Sequence, residues 1–88
     1  MNRRVQTSQK TWRGVAEIAN SDVRALLARA GAVEDSDVHG NAEAWRTRLG
    51  RAVFTGYSTG TIYCNGGAEP ELSFLYLQID HIVRFRGA

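Results

Sequence analysis

The sequence predicts a small α+β protein, an antiparallel sheet with two helices packed on one face. Three observations predict it. A stretch rich in Thr, Val, Phe and Tyr runs into the turn Ser58-Thr59-Gly60 and returns as the alternation Thr61 to Asn65, the pattern of a hairpin with strands 45–57 and 61–65. Leu72, Leu75, Tyr76, Ile79, Ile82 and Val83 recur at helical spacing behind Pro70, predicting a helix over 70–85. Val23, Leu26, Leu27 and Ala30 do the same between Ser21 and Gly31, predicting a helix over 21–30.

Size and composition set the bounds. With 88 residues, 43% apolar and 23% charged, the chain has room for one α+β domain, 11–88, behind a polar segment, 1–10, expected to be flexible. A formal net charge of +2 does not by itself imply a nucleic-acid partner. The distribution of charge says more. Glu34, Asp35, Asp37 and Glu43 form an acidic patch just ahead of Arg46, Arg48 and Arg51, while Arg3, Arg4, Lys10 and Arg13 make a basic start and Arg84 and Arg86 a basic end. The single cysteine, Cys64, allows no intramolecular disulfide and suits a reducing compartment. No apolar run is long enough to cross a membrane, and Met1-Asn2-Arg3-Arg4 leads into a polar stretch without a signal peptide, so a cytoplasmic protein is expected.

Taken in order, Thr11 to Ile18 fits an extended segment and a helix about equally. Asn20-Ser21-Asp22 supplies an N-cap and an acidic first turn for the first helix, and Gly31 a C′ residue. Glu34 to Asn41 has almost nothing to bury and reads as a solvated loop. From Asn41 to Leu49 two readings compete. Asn41 is able to cap a helix that pairs Trp45 with Leu49, whereas a strand places Trp45, Thr47 and Leu49 on one face and Arg46 and Arg48 on the other. The strand is preferred because β-formers dominate the residues that follow. A bulge near Gly50 would exchange the faces beyond it, moving Arg51 to the side of Arg46 and Arg48. Asn65-Gly66-Gly67 is expected to end the second strand of the hairpin. Pro70 suits a first helical turn, and Glu69 and Glu71 favour the positive end of the helix dipole.

Nothing in this pattern points to catalysis. His39 falls in the expected loop and His81 on a helix, neither at a spacing of a triad or metal motif. Asp80 and His81 are adjacent, so on a helix their side chains diverge by about 100°. Cys64 alternates with Ile62 and reads as a small buried hydrophobe. One cysteine and two separated histidines make no recognised ligand set, so no metal or cofactor is expected. Gly56, Gly60, Gly66 and Gly67 match no phosphate-loop pattern, and turn chemistry explains them. The arginines are the better candidates. On a strand Arg46 and Arg48 stand about 7 Å apart on one face, close to the spacing of successive phosphates, with Tyr57 and Tyr63 near enough to stack a base or ribose. On a helix Arg46 and Arg48 would diverge by about 200° and the pairing would be lost.

The run Tyr57-Ser58-Thr59-Gly60-Thr61-Ile62-Tyr63, followed by Gly66-Gly67 and an amphipathic helix, resembles the strand-turn-strand-helix core of the TATA-binding-protein-like domain that precedes the catalytic part of type 3 bacterial ribonucleases H. That resemblance implies a curved antiparallel sheet backed by helices that grips a nucleic-acid duplex on its open face, with the first strand and helix drawn from Thr11 to Ala30. It also implies binding without cleavage, since no catalytic domain accompanies it.

Two functions follow as expectations. One is a non-catalytic module that binds nucleic acid or a nucleotide through Arg46, Arg48, Arg51, Tyr57 and Tyr63. The other is a protein-interaction module, an inhibitor or adaptor of the kind carried by mobile elements, docking on a larger macromolecular complex. A homo-oligomer formed through a sheet edge or the Leu72 to Val83 helix is compatible with either.

Overall fold

A computed structural model describes residues 7–36 and 42–86 of the chain. The elements run β1 (Thr7–Trp12), α1 (Glu17–Arg29), β2 (Val33–Glu34), β3 (Glu43–Leu49), β4 (Ala52–Tyr57), β5 (Thr61–Ala68) and α2 (Glu69–Arg86). All strand pairs are antiparallel, and the five-stranded sheet has the order β1-β5-β4-β3-β2. The fold class is therefore the α+β architecture that the sequence predicts.

Register decides which residues share a face. Trp45, Gly56, Ile62 and Trp12 lie side by side across β3, β4, β5 and β1, and Thr47, Phe54, Cys64 and Lys10 form the next row. Trp12, Trp45, Phe54, Ile62 and Cys64 are buried together with Ala19, Val23 and Leu27 of α1 and Leu72, Leu75, Tyr76 and Ile79 of α2. Both helices thus cover one side of the sheet, and the predicted α2 stripe is its buried face. Burying side chains of this size stabilises the fold by roughly 1.5–3 kcal/mol each before the entropy of ordering the chain is set against it. Polar anchors fix the helices on the sheet. The Trp12 indole N–H donates to Asp80 at 2.6 Å, Trp12 meets Tyr76 edge-on at 5.6 Å, and the Trp45 indole N–H donates to Asn20.

Several boundaries differ from the sequence reading. Trp45 to Tyr57 is not one strand but a hairpin, because Gly50, at φ 60°, and Arg51 form a two-residue turn between the paired residues Leu49 and Ala52. This is the Gly-X pattern of a type II′ turn. The exchange of faces expected from a bulge near Gly50 does occur, but a chain reversal produces it. β5 continues through Gly66 and Gly67 to Ala68 instead of ending there, and the β1–β5 register shifts between Thr7 and Gln9 opposite these glycines. A Cβ on Gly66, at φ 91°, would collide with the carbonyl oxygen of Arg51, so only glycine lets β5 pass this close to the β3–β4 turn.

The 1–10 segment is corrected at its end, since Thr7 to Lys10 belong to β1, and of Thr11 to Ile18 the first residues are strand and the last are helix. α1 begins at Glu17 rather than Ser21, with Ala16 at the N-cap and no side-chain cap. The side chains expected to cap it are engaged in tertiary contacts instead: Asn20 accepts from Trp45 and Asp22 accepts from Arg86 at 2.6 Å. Of the expected 34–41 loop, Glu34 closes β2, and Asp37 to Asn41, including His39, lie outside the described residues. No helix among the described residues is long and apolar enough to cross a membrane.

Candidate nucleic-acid interface

The face of the sheet turned away from the helices is built from the alternate residues of the same strands. Arg46, Thr55, Tyr63 and Thr11 form one row across β3, β4, β5 and β1, and Val33, Arg48, Val53, Asn65 and Gln9 form the next. Glu43, Tyr57 and Thr61 make a third. Adjacent strands are about 4.8 Å apart and alternate residues along a strand about 7 Å apart, so this surface is a grid of polar, aromatic and aliphatic side chains, with Thr55 buried among its neighbours. Gln9, Thr11, Arg48 and Asn65 are exposed, and Tyr57 and Tyr63 are half-buried.

The grid gathers most of the residues named from the sequence. Arg46, Arg48, Tyr57 and Tyr63 share this face, as the strand reading of 45–49 requires. Arg51 does not. It sits exposed in the β3–β4 turn at the end of the sheet, so the expectation that it joins Arg46 and Arg48 in one row is corrected.

The electrostatics of the face were not foreseen. Arg46 donates to both carboxylate oxygens of Glu43, at 2.7 and 2.9 Å, and lies 3.8 Å from Asp35. Arg48 donates to Asp35 through two nitrogens, at 3.1 and 3.2 Å. The hydrogen bond from Arg48 holds the Asp35 carboxyl below its usual range, with the charges of Arg48 and Arg46 acting in the same direction. The bond to Glu43 raises Arg46 above its already high value. Asp35 thus folds back onto the arginines, because its N–H donates to the Arg46 carbonyl at 2.9 Å and carries the carboxylate to the edge of β3.

On the helix side, Arg24 of α1 forms a matching forked pair with Glu34, which lowers the Glu34 carboxyl. Both Glu34 and Asp35 are more acidic folded than unfolded, so each stabilises the protein when ionised. That contribution is complete at neutral pH, starts to disappear as the pH falls through the ordinary carboxylate values near about 4, and is gone below the folded values. The Arg24 and Glu34 side chains are 50% and 38% exposed, which limits their pair to at most about 1 kcal/mol. Melting temperatures measured between neutral and strongly acidic pH are expected to show a shallower acid limb for Glu34→Gln than for the unaltered chain. Parallel curves would rule out this pair as a contributor.

The other candidate groups are dispersed. Cys64 is fully buried, burial pushes its thiol up, and Tyr76 O–H lies 3.4 Å from its sulfur. His81 is exposed on α2 against the Phe85 ring, while Asp80 beside it bonds Trp12, so the two diverge as their adjacency predicts. Among the described residues no group of three or more His, Cys, Asp or Glu is placed to hold a metal ion. A cavity of about 490 Å³ opens beside the 58–60 turn, lined by Val15, Asn20, Ser21, Trp45, Tyr57 and Ser58. Two of these lining residues are already bonded to each other, the Trp45 indole N–H donating to Asn20. No protein-family model matches the chain, and no curated protein is similar to it.

Proposed function

We propose that this chain is a non-catalytic module that binds nucleic acid or a nucleotide through the open face of its sheet. One observation carries the reading: strand register places Arg46, Arg48, Tyr57 and Tyr63 together on the sheet face opposite both helices. Arg46 and Arg48 supply forked donors suited to phosphate oxygens, and the tyrosines supply flat surfaces for a base or ribose. Thr11, Gln9 and Asn65 add hydrogen-bonding groups without net charge. A face of this kind is what the resemblance to the ribonuclease H substrate-binding domain implies.

Asp35 and Glu43 act in this reading as resident anions. A phosphate approaching β3 takes over guanidinium donors that the carboxylates hold in the free protein, so binding exchanges one anion for another. Such exchange favours a partner with many closely spaced phosphates over a single anion, because several contacts must together exceed the lost pairs. A single buried cysteine and the lack of disulfides suit action in the cytoplasm.

The test is fluorescence anisotropy with a labelled single strand and a labelled duplex, titrated at increasing salt. The affinity is expected to fall linearly on logarithmic axes, with a slope of roughly −0.9 per phosphate contacted on duplex DNA and −0.7 on a single strand. Absent or salt-independent binding overturns the proposal. A protein complex that remains on the immobilised chain after nuclease treatment, in the absence of oligonucleotide binding, would replace it with docking on a larger protein assembly.

A further inference from the structure

The charges on the open face cancel. Among the described residues the strands carry Arg46 and Arg48 on this side, and both are already bonded, Arg46 to Glu43 and Arg48 to Asp35, so each cation has its own carboxylate. A duplex presents its phosphates outward and keeps the faces of its bases stacked inside, so holding one across a flat surface depends on a positive field. This face has none to spare. Its two arginines also stand on β3 alone, since β1 at the far side of the sheet contributes Gln9 and Thr11 here, neither charged. One line of cations serves one phosphate backbone, not the two that border a groove.

What the face does offer is aromatic surface. Tyr57 on β4 and Tyr63 on β5 stand on neighbouring interior strands as diagonal neighbours of an antiparallel pair, roughly 7–8 Å apart. Thr55, the short side chain between them and Arg46, is 6% exposed, so the longer residues around it close over the sheet as one continuous surface. Arg46 is raised first by its bond to Glu43 and also by the nearby Tyr57 phenol, so one of the two rings adjoins the arginine row.

On the open-face reading above, on which this step rests, we infer that the ligand is an unpaired strand of nucleic acid and not a duplex. Its phosphates follow β3 over Arg46 and Arg48, and two of its bases turn across the sheet onto Tyr57 and Tyr63. Only an unpaired strand frees the faces of its bases, and stacking on them needs no net charge from the protein. Asn65, Gln9 and Thr11, exposed on the β1 side of the face, meet base edges with uncharged donors and acceptors. This ligand differs from the duplex that the ribonuclease H resemblance implies.

Fluorescence anisotropy on the unaltered chain, with three labelled probes of one length, tests the inference: a single strand of mixed sequence, the blunt duplex made from it, and an abasic strand that keeps the phosphates without the bases. The intact single strand is expected to bind more tightly than either of the others by on the order of tenfold or more, the factor that stacking one base supplies. Tyr63→Leu should weaken binding of the intact strand by about tenfold and leave the abasic strand unaffected, whereas Tyr63→Phe, which keeps the ring, should bind as the unaltered chain does. Neither substitution changes a charge, so the dependence on salt should stay the same, and circular dichroism checks that both variants are folded. A duplex or an abasic strand bound as tightly as the intact single strand overturns the inference and leaves the open-face reading standing. So does a Tyr63→Leu variant that binds the intact strand as before. Binding to none of the three probes overturns both.

Discussion

Alanine at Arg46 and Arg48 together is expected to weaken oligonucleotide binding by on the order of 100-fold and to reduce the salt slope by about two. A hydrogen bond to a charged group is worth about 1.5–3 kcal/mol, and part of that is offset here by the carboxylate each arginine must release, which leaves about one decade of affinity per residue. Arg51→Ala is expected to do much less, since its turn lies off the face. Asp35→Asn carries the opposite sign. Removing that carboxylate frees Arg48 and takes away one of the two anions beside Arg46, so the affinity should rise. Anisotropy titrations of the variants against the same labelled strand distinguish a working arginine row from a merely solvated one, in which all three variants bind as the unaltered chain does. Arg48 is exposed, but the Arg46 and Glu43 side chains are only 22% and 11% exposed, so a melting curve of the double variant is needed beside the titration to separate loss of fold from loss of binding.

Gly56→Ala is expected to be strongly destabilising. The glycine sits in β4, buried and paired directly with Trp45, and a Cβ at this position would lie only 2.2–2.5 Å from three atoms of the Trp45 indole. Trp45 is 3% exposed and its indole N–H is bound to Asn20, so displacing the ring costs its packing and that hydrogen bond. Overpacking of this kind costs about 1–3 kcal/mol, and an unpaired indole adds roughly 1–3 kcal/mol more. A domain of this size has little stability beyond that to lose. Urea denaturation is expected to show most of the protein's stability gone. The same substitution made in a Trp45→Leu background should cost far less, because the clashing ring is absent. Equal costs in the two backgrounds would show that the glycine serves some purpose other than seating the indole.

The α2 helix was legible in the sequence because its pattern is local: a proline in the first turn, then apolar residues at a period that only a helix satisfies. The strand character of 45–49 was preferred over a competing helix because β-formers follow it, and with it came the separation of Arg46 and Arg48 from Trp45 and Thr47. The chain reversal at Gly50-Arg51 was obscured because β-formers continue on both sides of it, although a strand from Trp45 to Tyr57 would exceed the usual length of about 3–10 residues. The start of α1 was misplaced because Asn20 and Asp22 have good capping chemistry, yet Trp45 and Arg86, distant in sequence, claim both side chains. The partners of the arginines were hidden for the same reason. Composition showed acidic and basic blocks, but only the pairing of β2 with β3 sets Asp35 beside Arg48.

The place of β1 has a consequence for how the chain acquires its structure. This strand precedes all the others, yet its one neighbour in the sheet is β5, and Trp12 pairs with Ile62 and bonds Asp80. Everything from β1 through β5 must therefore be synthesised before this strand finds its place. The β3–β4 and β4–β5 hairpins close over short loops and are expected to form early, whereas docking of β1 waits on a long loop closure and sets the slow phase of folding. Until then a strand edge and the Trp12 ring stay open to wrong partners, which makes the nascent chain most vulnerable to aggregation just before α2 emerges.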